Sequence, residues 1–246
     1  MDYNKLAIEL HKKYKGKITT QIRDQEELDR DKLSAYYTPG VGEISRIIAA
    51  NPEPDYTWTN NLVAIISDGS AILGLGNLGP KAAMPVMEGK ALLLKHFANV
   101  DSVPIVLDVH EPDEIIKTVK AIAPSFGAIN LEDIAAPKCF EIEERLKEEL
   151  DIPVFHDDQH GTAIVVLAGL INAAKLTNRK LSYCKITVVG AGAAGTAIIK
   201  LLNLYGIKNI LAVDSRGIIN KNRTDLNTEK TILLDYINSS QSGSLQ

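Results

Sequence analysis

The sequence predicts an α/β protein in two parts. Residues 1–160 read as an N-terminal α/β domain with a mostly parallel sheet, and residues 161–246 as the first part of a dinucleotide-binding domain. Three observations carry this. Short apolar runs alternate with segments of helical period, the pattern of βαβ units. Two pairs of acids, Glu132-Asp133 and Asp157-Asp158, directly follow apolar runs, at the strand ends where α/β proteins bind ligands. A glycine string at 190–195 also follows an apolar run, with the spacing that opens a phosphate-binding turn.

Taken in order, Asn4 to Tyr14 has the period of an amphipathic helix. Asn61 to Ile66 (NLVAII) reads as a strand, followed by the turn Ser67-Asp68-Gly69-Ser70 and a second short strand in AILGLG. Apolar residues surround Lys90 and Lys95 from Val86 to Phe97 at helical spacing, with no clear helix start at Pro80-Lys81, and lead to a buried strand, Val103 to Leu107. Glu114 to Ala123 is a crossover helix before the strand that ends in Glu132-Asp133. In the helix Pro137 to Leu150, acids and lysines at i,i+4 spacing, Glu143-Lys147 among them, read as a solvated face. The strand Ile152 to Phe155 delivers Asp157-Asp158, and Thr162 to Lys175 is an apolar helix linking the two parts.

From Cys184 the register changes. KITVVGAGAAGTAIIKLL (185–202) gives a strand, a glycine turn and a helix, and ILAVD (210–214) is the next strand. Gly190 permits the tight turn, Gly192 lets a pyrophosphate approach the backbone, and Gly195 allows close packing of the helix, whose N-terminus meets the negative charge. Ala193 and Ala194 complete the turn. Asp214 stands where an acid accepts ribose hydroxyls; after Ser215, Arg216 could take the 2′-phosphate of NADP, so NAD is only slightly favoured. This context makes the unit Rossmann-type. Beyond Asp214 the sequence offers one helical stretch around Ile232 to Ile237 before the polar end SSQSGSLQ. The expectation is therefore an incomplete Rossmann domain in a truncated chain, whose exposed edge strands favour a homodimer.

Composition narrows the function classes. With 246 residues, 45% hydrophobic and 24% charged, the chain has the charge level of a soluble globular protein. A net charge of -4 with interspersed Lys and Arg leaves no electrostatic footprint for nucleic acid. The charged N-terminus has no signal-peptide core, and the longest apolar stretch, Ala163 to Ile171, is too short to span a bilayer. Cys139 and Cys184 form no CxxC pair and read as reduced thiols. A cytoplasmic protein acting on small molecules, with neither membrane nor nucleic-acid partner, is expected.

The acids carry the chemistry. Four carboxylates at strand ends repel one another and are costly to desolvate, so they imply a divalent metal, a lysine, or both, unless they merely cap helices. Lys90, inside an apolar segment, is either a snorkelling surface residue or a base held by those acids. A second glycine string, GLGNLG (74–79), is rejected as a dinucleotide fingerprint because no clear helix start follows it. Gly74, Gly76 and Asn77 belong to a simple tight turn or to a loop whose amides approach a carboxylate substrate. Tyr37, ahead of a Pro39-Gly40 turn, reads by default as a core aromatic.

The succession YTPGV (37–41), SDGSAILGLGNLGPKAAMPVMEGK (67–90), LED (131–133), FHDDQHGTA (155–163) and GAGAAG (190–195) resembles malic enzymes of the small prokaryotic kind. The resemblance implies oxidative decarboxylation of L-malate to pyruvate and CO2 with NAD or NADP. It implies Mg2+ or Mn2+ on Glu132, Asp133 and Asp158, Lys90 as general base, Asp157 as the residue orienting it, and Tyr37, rather than its neighbour Tyr36, as general acid. A malolactic enzyme, which keeps NAD bound and yields lactate, would share these motifs. A non-catalytic module that binds metal or metabolite is the reading from another class.

Overall fold

A computed structural model describes residues 3–51 and 56–243. Three helices come first: α1 (Tyr3–Tyr14), α2 (Arg30–Tyr36) and α3 (Val41–Ala50), none of which contains a buried residue. A parallel sheet follows, made of β1 (Leu62–Ser67), β2 (Asp101–Val106), β3 (Ala128–Leu131) and β4 (Val154–His156) in the order β2-β1-β3-β4. Its connections are the helices α4 (Pro80–Ala98), α5 (Pro112–Ile122) and α6 (Lys138–Glu149).

Period-two alternation sorts the sheet's two faces. Ile65 of β1 packs with Ile72 and with Ala83, Met87 and Ala91, the inner side of α4. Its neighbours Leu62, Ala64 and Ile66 point the other way, to Ile115, Ile116 and Val119 of α5 and Ile142 and Leu146 of α6. β2 is half-buried along its length rather than fully buried as its apolar run suggested, because it is an edge strand; an edge is also where Pro104 costs no ladder bond.

After β1 the structure departs from the sequence reading. The AILGLG segment forms a single 3-10 turn, Ile72–Gly74, instead of a strand. The following helix begins at Pro80, six residues before Val86. Proline suits the first helical position, where its missing N–H would find no partner anyway. The string GLGNLG therefore does lead into a helix, but no strand precedes it.

The long helix α7 (Asp157–Leu176) leaves the first sheet and packs Leu167 and Leu170 into a second core. There β5 (Ile186–Val189), β6 (Ile210–Asp214) and β7 (Gly217–Ile218) form a three-stranded sheet, β5 and β6 parallel, β6 and β7 antiparallel. The sequence reading lacked β7. α8 (Ala193–Leu204) joins β5 to β6, and α9 (Thr228–Leu233) begins four residues before the stretch expected to be helical, with Ile237 buried just after it. The Asn227 side chain accepts a bond from Lys230 N and so sets the start of α9. Both cysteines are free, Cys139 buried with its thiol pushed up to about 12 by burial.

The glycine turn between β5 and α8 has the expected strand, turn, helix setting. Gly190 has φ of 102°, and a Cβ on Gly195 would lie 1.8 Å from the Gly190 carbonyl oxygen, whereas one on Gly192 meets nothing within 4 Å. Gly195→Ala should therefore cost at least about 2 kcal/mol and Gly192→Ala about 1 kcal/mol or less, read from denaturant unfolding of the second core. Equal costs for the two variants would refute this account of the turn.

Candidate active site

The four acids gather at the carboxyl ends of β3 and β4. Glu132 and Asp133 follow β3 directly, and Asp133 takes a left-handed backbone conformation with φ of 53°. Asp157 and Asp158 form the first turn of α7, which starts five residues earlier than its apolar periodicity shows. Acids are favoured there by the unpaired N–H groups and the helix dipole. The apolar period becomes readable only beyond Gly161, so the sequence leaves these residues between strand and helix, with a capping role as the alternative.

Lys90 of α4 reaches into this group. Its Nζ lies 2.6 Å from Asp157 Oδ2 and 3.4 Å from Glu132 Oε1. Gly161 makes room for the pair: a Cβ there would sit 2.4 Å from Asp157 Oδ1. Burial opposes charge on Lys90, but the two carboxylates outweigh it and hold the ammonium above its usual range. The same burial pushes Glu132 up to about 7, against the opposing effects of Asn130, whose Nδ2 donates to Oε2 at 3.0 Å, and of Lys90. Asp133 is likewise raised by burial, and its buried Oδ2 has no hydrogen-bond partner.

Asp158 turns its Oδ2 to the Asp133 backbone N–H at 3.0 Å. Glu132 is engaged by Lys90 and Asn130. Consequently no three acid, histidine or cysteine side chains among the described residues converge as a closed metal-ligand group. What the cluster does show is an excess of oxygen donors over cations, with one buried carboxylate oxygen unpaired.

The loop 67–79 is locked onto the segment carrying Asp133. Ala71 N donates to Asp133 O at 3.0 Å, and Leu73 N lies 3.4 Å from Asp133 Oδ1. The loop closes on itself through Ile72, Leu75, Leu78 and Gly79 amides, and Asn77 Oδ1 accepts from Gly79 N at 3.1 Å. Gly74 and Gly76 have φ of 76° and 87°. Asn77 thus serves the turn itself.

Beneath this loop lies a node that sequence reasoning missed. Asp68 is fully buried, accepts from Ser70 Oγ at 2.6 Å, pairs with Lys138 of α6 and lies 3.3 Å from His110 Nδ1. Burial opposes its ionisation, yet Lys138, Ser70 and His110 keep it below the ordinary carboxylate range. Ser70 Oγ also accepts from Ala135 N at 2.9 Å, so the node ties the 67–70 turn to the chain leaving Asp133. The only hint in the sequence was a charged residue directly after a buried strand.

Glu143 is a correction. Its i,i+4 spacing suggested a solvated face, but it is 5% exposed and accepts from His156 N, Gln159 Nε2 and Lys147 Nζ at 3.0, 3.2 and 2.7 Å. His160 Nε2 lies 2.8 Å from its Oε1. Burial works against its charge, and His160 and Lys147 hold it below its usual range. The helix period could have flagged it, since Glu143 shares a face with buried Cys139, Ile142 and Leu146.

Tyr36 and Tyr37 separate clearly. Tyr36 donates its hydroxyl to Asp24 Oδ2 at 2.8 Å. Tyr37 is 70% exposed, and among the described residues no hydrogen bond joins it to the carboxylate cluster. In the second sheet, Asp214 is gripped by Arg223 at 2.8 and 3.1 Å and by Lys230 at 2.6 Å, and Arg216 N donates to it at 2.9 Å. Arg216 itself pairs with Asp225. Against the opposing effect of burial these donors hold Asp214 far below its usual range, so both its oxygens already have protein partners.

Glu132 gives the cluster a pH signature. Because its folded pKa of about 7 exceeds the ordinary 4.5, between these values the unfolded chain is ionised while the folded protein still holds the proton. Stability then falls as pH rises through that window. Glu132→Gln should remove the slope and stabilise the protein near pH 8 by on the order of 2 kcal/mol, checked by thermal melts of both proteins at about pH 5 and about pH 8.

Residues 12–147 match the family described as malic enzyme, N-terminal domain, and residues 159–243 the malic enzyme NAD binding domain. The NAD-dependent malic enzyme of Geobacillus stearothermophilus is 57% identical over 211 residues, which are 85% of this chain and 44% of that protein. The bifunctional malic/malolactic enzyme of Bacillus subtilis is 51% identical over 97% of this chain and 58% of its own length. Among solved structures, the NAD-dependent malic enzyme of Thermotoga maritima superposes with a TM-score of 0.93 at 52% identity, over 97% of this chain and 64% of that one. The chain thus spans about half the length of the curated relatives it matches. On matches that cover most of its residues, the chain belongs to the malic enzyme family.

Proposed function

We propose that the protein oxidatively decarboxylates L-malate to pyruvate and CO2, with NAD or NADP as hydride acceptor and a divalent metal. The observation that carries this reading is Lys90, held within 2.6 Å of Asp157 amid buried carboxylates at the ends of parallel strands. Glu132, Asp133 and Asp158 would hold Mg2+ or Mn2+: an all-oxygen donor set suits these hard cations. The unpaired buried oxygen of Asp133, and the burial that disfavours charge on Glu132, both mark negative charge that a cation would settle. When bound, the metal polarises substrate oxygens and lowers the pKa of the malate hydroxyl.

The chain's own groups do the rest. Lys90, held as ammonium by Asp157 and Glu132, would release its proton to solvent once those carboxylates were offset by a cation, and then take the malate hydroxyl proton with Asp157 fixing the position of Nζ. Tyr37 delivers the proton that C3 needs once CO2 has left. Gly74 and Gly76 open the loop toward the substrate carboxylate, with Asn77 bracing it. Gly190, Gly192, Ala193, Ala194 and Gly195, with the N-terminus of α8, receive the dinucleotide pyrophosphate. Asp214, Ser215 and Arg216 border the ribose, with NAD slightly favoured. We place the boundary between the two parts near residue 160.

Lys90→Ala should abolish malate-dependent nicotinamide reduction and leave Mn2+ binding within about tenfold of the parent, because the lysine is no ligand. Calorimetric titration of the 246-residue chain with Mn2+ and L-malate tests the site directly. A folded chain that binds neither would defeat the reading. The bifunctional relative favours malolactic activity as a second reading; lactate without net release of reduced nicotinamide identifies it.

We propose further that two copies associate through the N-terminal segment, the helices α1 and α2 and the stretch that joins them. Residues 3–51 bury no side chain yet expose Tyr3, Ile8, Ile22, Leu28 and Leu33, an apolar surface characteristic of interfaces. Light scattering after size exclusion should give the mass of a dimer, and Ile22→Asp with Leu28→Asp should shift it toward the monomer.

A further inference from the structure

We infer that His156 is a positioning residue for Asp158, and that Glu143 and Gln159 lock its imidazole in the one tautomer able to hold that carboxylate. His156 closes β4 and precedes α7, fully buried. Its Nδ1 lies 3.0 Å from Gln159 Nε2, and the same amide nitrogen lies 3.2 Å from Glu143 Oε2. Its Nε2 is buried, without a hydrogen-bond partner, and faces Asp158 Oδ2 at 3.5 Å.

The proton's place follows from acceptors and donors alone. Glu143, surrounded by Lys147, His160 and the His156 backbone N–H, is an ionised carboxylate that can only accept. Gln159 must therefore present its NH2 group to Glu143, and the second N–H of that group is directed at His156 Nδ1. A ring nitrogen that accepts a hydrogen bond carries no proton, so the imidazole proton sits on Nε2. That nitrogen lies 3.5 Å from Asp158 Oδ2, about half an ångström beyond the usual hydrogen-bond length. A buried donor left unpaired is costly, so the pair closes with a small rotation of Asp158.

The same Oδ2 already accepts from Asp133 N at 3.0 Å. Two protein donors on one oxygen orient the carboxylate and leave the other oxygen for a cation. The inference rests on the reading of Asp158 as a metal ligand. Outer partners of this kind change metal affinity by roughly 10- to 100-fold when removed.

The test uses the 246-residue chain and Mn2+ alone. Nitrogen-15 NMR of the imidazoles should show His156 protonated on Nε2 and not on Nδ1, and Gln159→Met should release this preference. His156→Phe, which keeps the ring and loses the donor, should weaken Mn2+ binding about tenfold or more, while His156→Gln, which returns an N–H at similar reach, recovers most of it. The inference is overturned by a parent His156 protonated on Nδ1, by a tautomer indifferent to Gln159→Met, by parental affinity in the Phe variant, or by a Gln variant as weak as Phe. Should His156→Phe not fold, the parent tautomer and the Gln159→Met response decide. A parent chain that binds no Mn2+ defeats the ligand assignment of Asp158, and the NMR measurements still judge the histidine independently.

Discussion

The organisation of this protein turns on one electrostatic constraint: four carboxylates are brought to neighbouring strand ends, and among the described residues one ammonium, Lys90, pairs with them. Burial makes each negative charge costly, and mutual repulsion adds to the cost. Local donors answer part of that cost. Asp133 N takes Asp158, Asn130 takes Glu132, and the helix start takes Asp157 and Asp158. The residual imbalance, visible in the raised pKa of Glu132 and the unpaired oxygen of Asp133, is stability given up at this place. Functional sites commonly carry such a cost.

Around this centre lies a second layer of buried polar groups that fixes the backbone of the acids. Asp68 and Ser70 fasten the turn after β1 to the chain beyond Asp133, and Glu143 fastens α6 to the start of α7. Asp68 and Glu143 are carboxylates kept charged in the interior, Asp68 by the Lys138 ammonium and Glu143 by that of Lys147 with the His160 ring beside it. Loss of one partner in such a network leaves an unpaired charge, which makes the geometry rigid as well as vulnerable.

Much of this was legible in the sequence, and the limits have physical causes. The β1, β3, β4 and β6 strands are short apolar runs with clear ends, and Gly190 and Gly195 stand in a context that admits one reading. The two acid pairs stand out as charge placed where charge is costly, whereas Lys90 reads equally as a surface residue until the family resemblance pairs it with Asp157. What stayed hidden depended on tertiary partners. Glu143 has the spacing of a surface ion pair, and its other partners, the end of β4 and the first turns of α7, lie beyond its own helix. Asp157 and Asp158 read at most as caps because the first turn of a helix carries no apolar period. Asp214 reads as a free acid, since nothing local announces that Arg223 and Lys230 fold back onto it.

The helix α7 belongs to both halves of the molecule: its first turn carries Asp157 and Asp158, and Leu167 and Leu170 lie in the second core. From Asp157 to Leu170 is about 20 Å of rigid rod, so a tilt of about 5° at the far end displaces the acids by nearly 2 Å. The two halves are therefore poor interchangeable modules. Chimaeras between relatives spliced inside residues 157–176 would join an acid turn from one parent to an anchor shaped for another. A junction that keeps α7 whole, with its own second core, preserves the aim of those carboxylates.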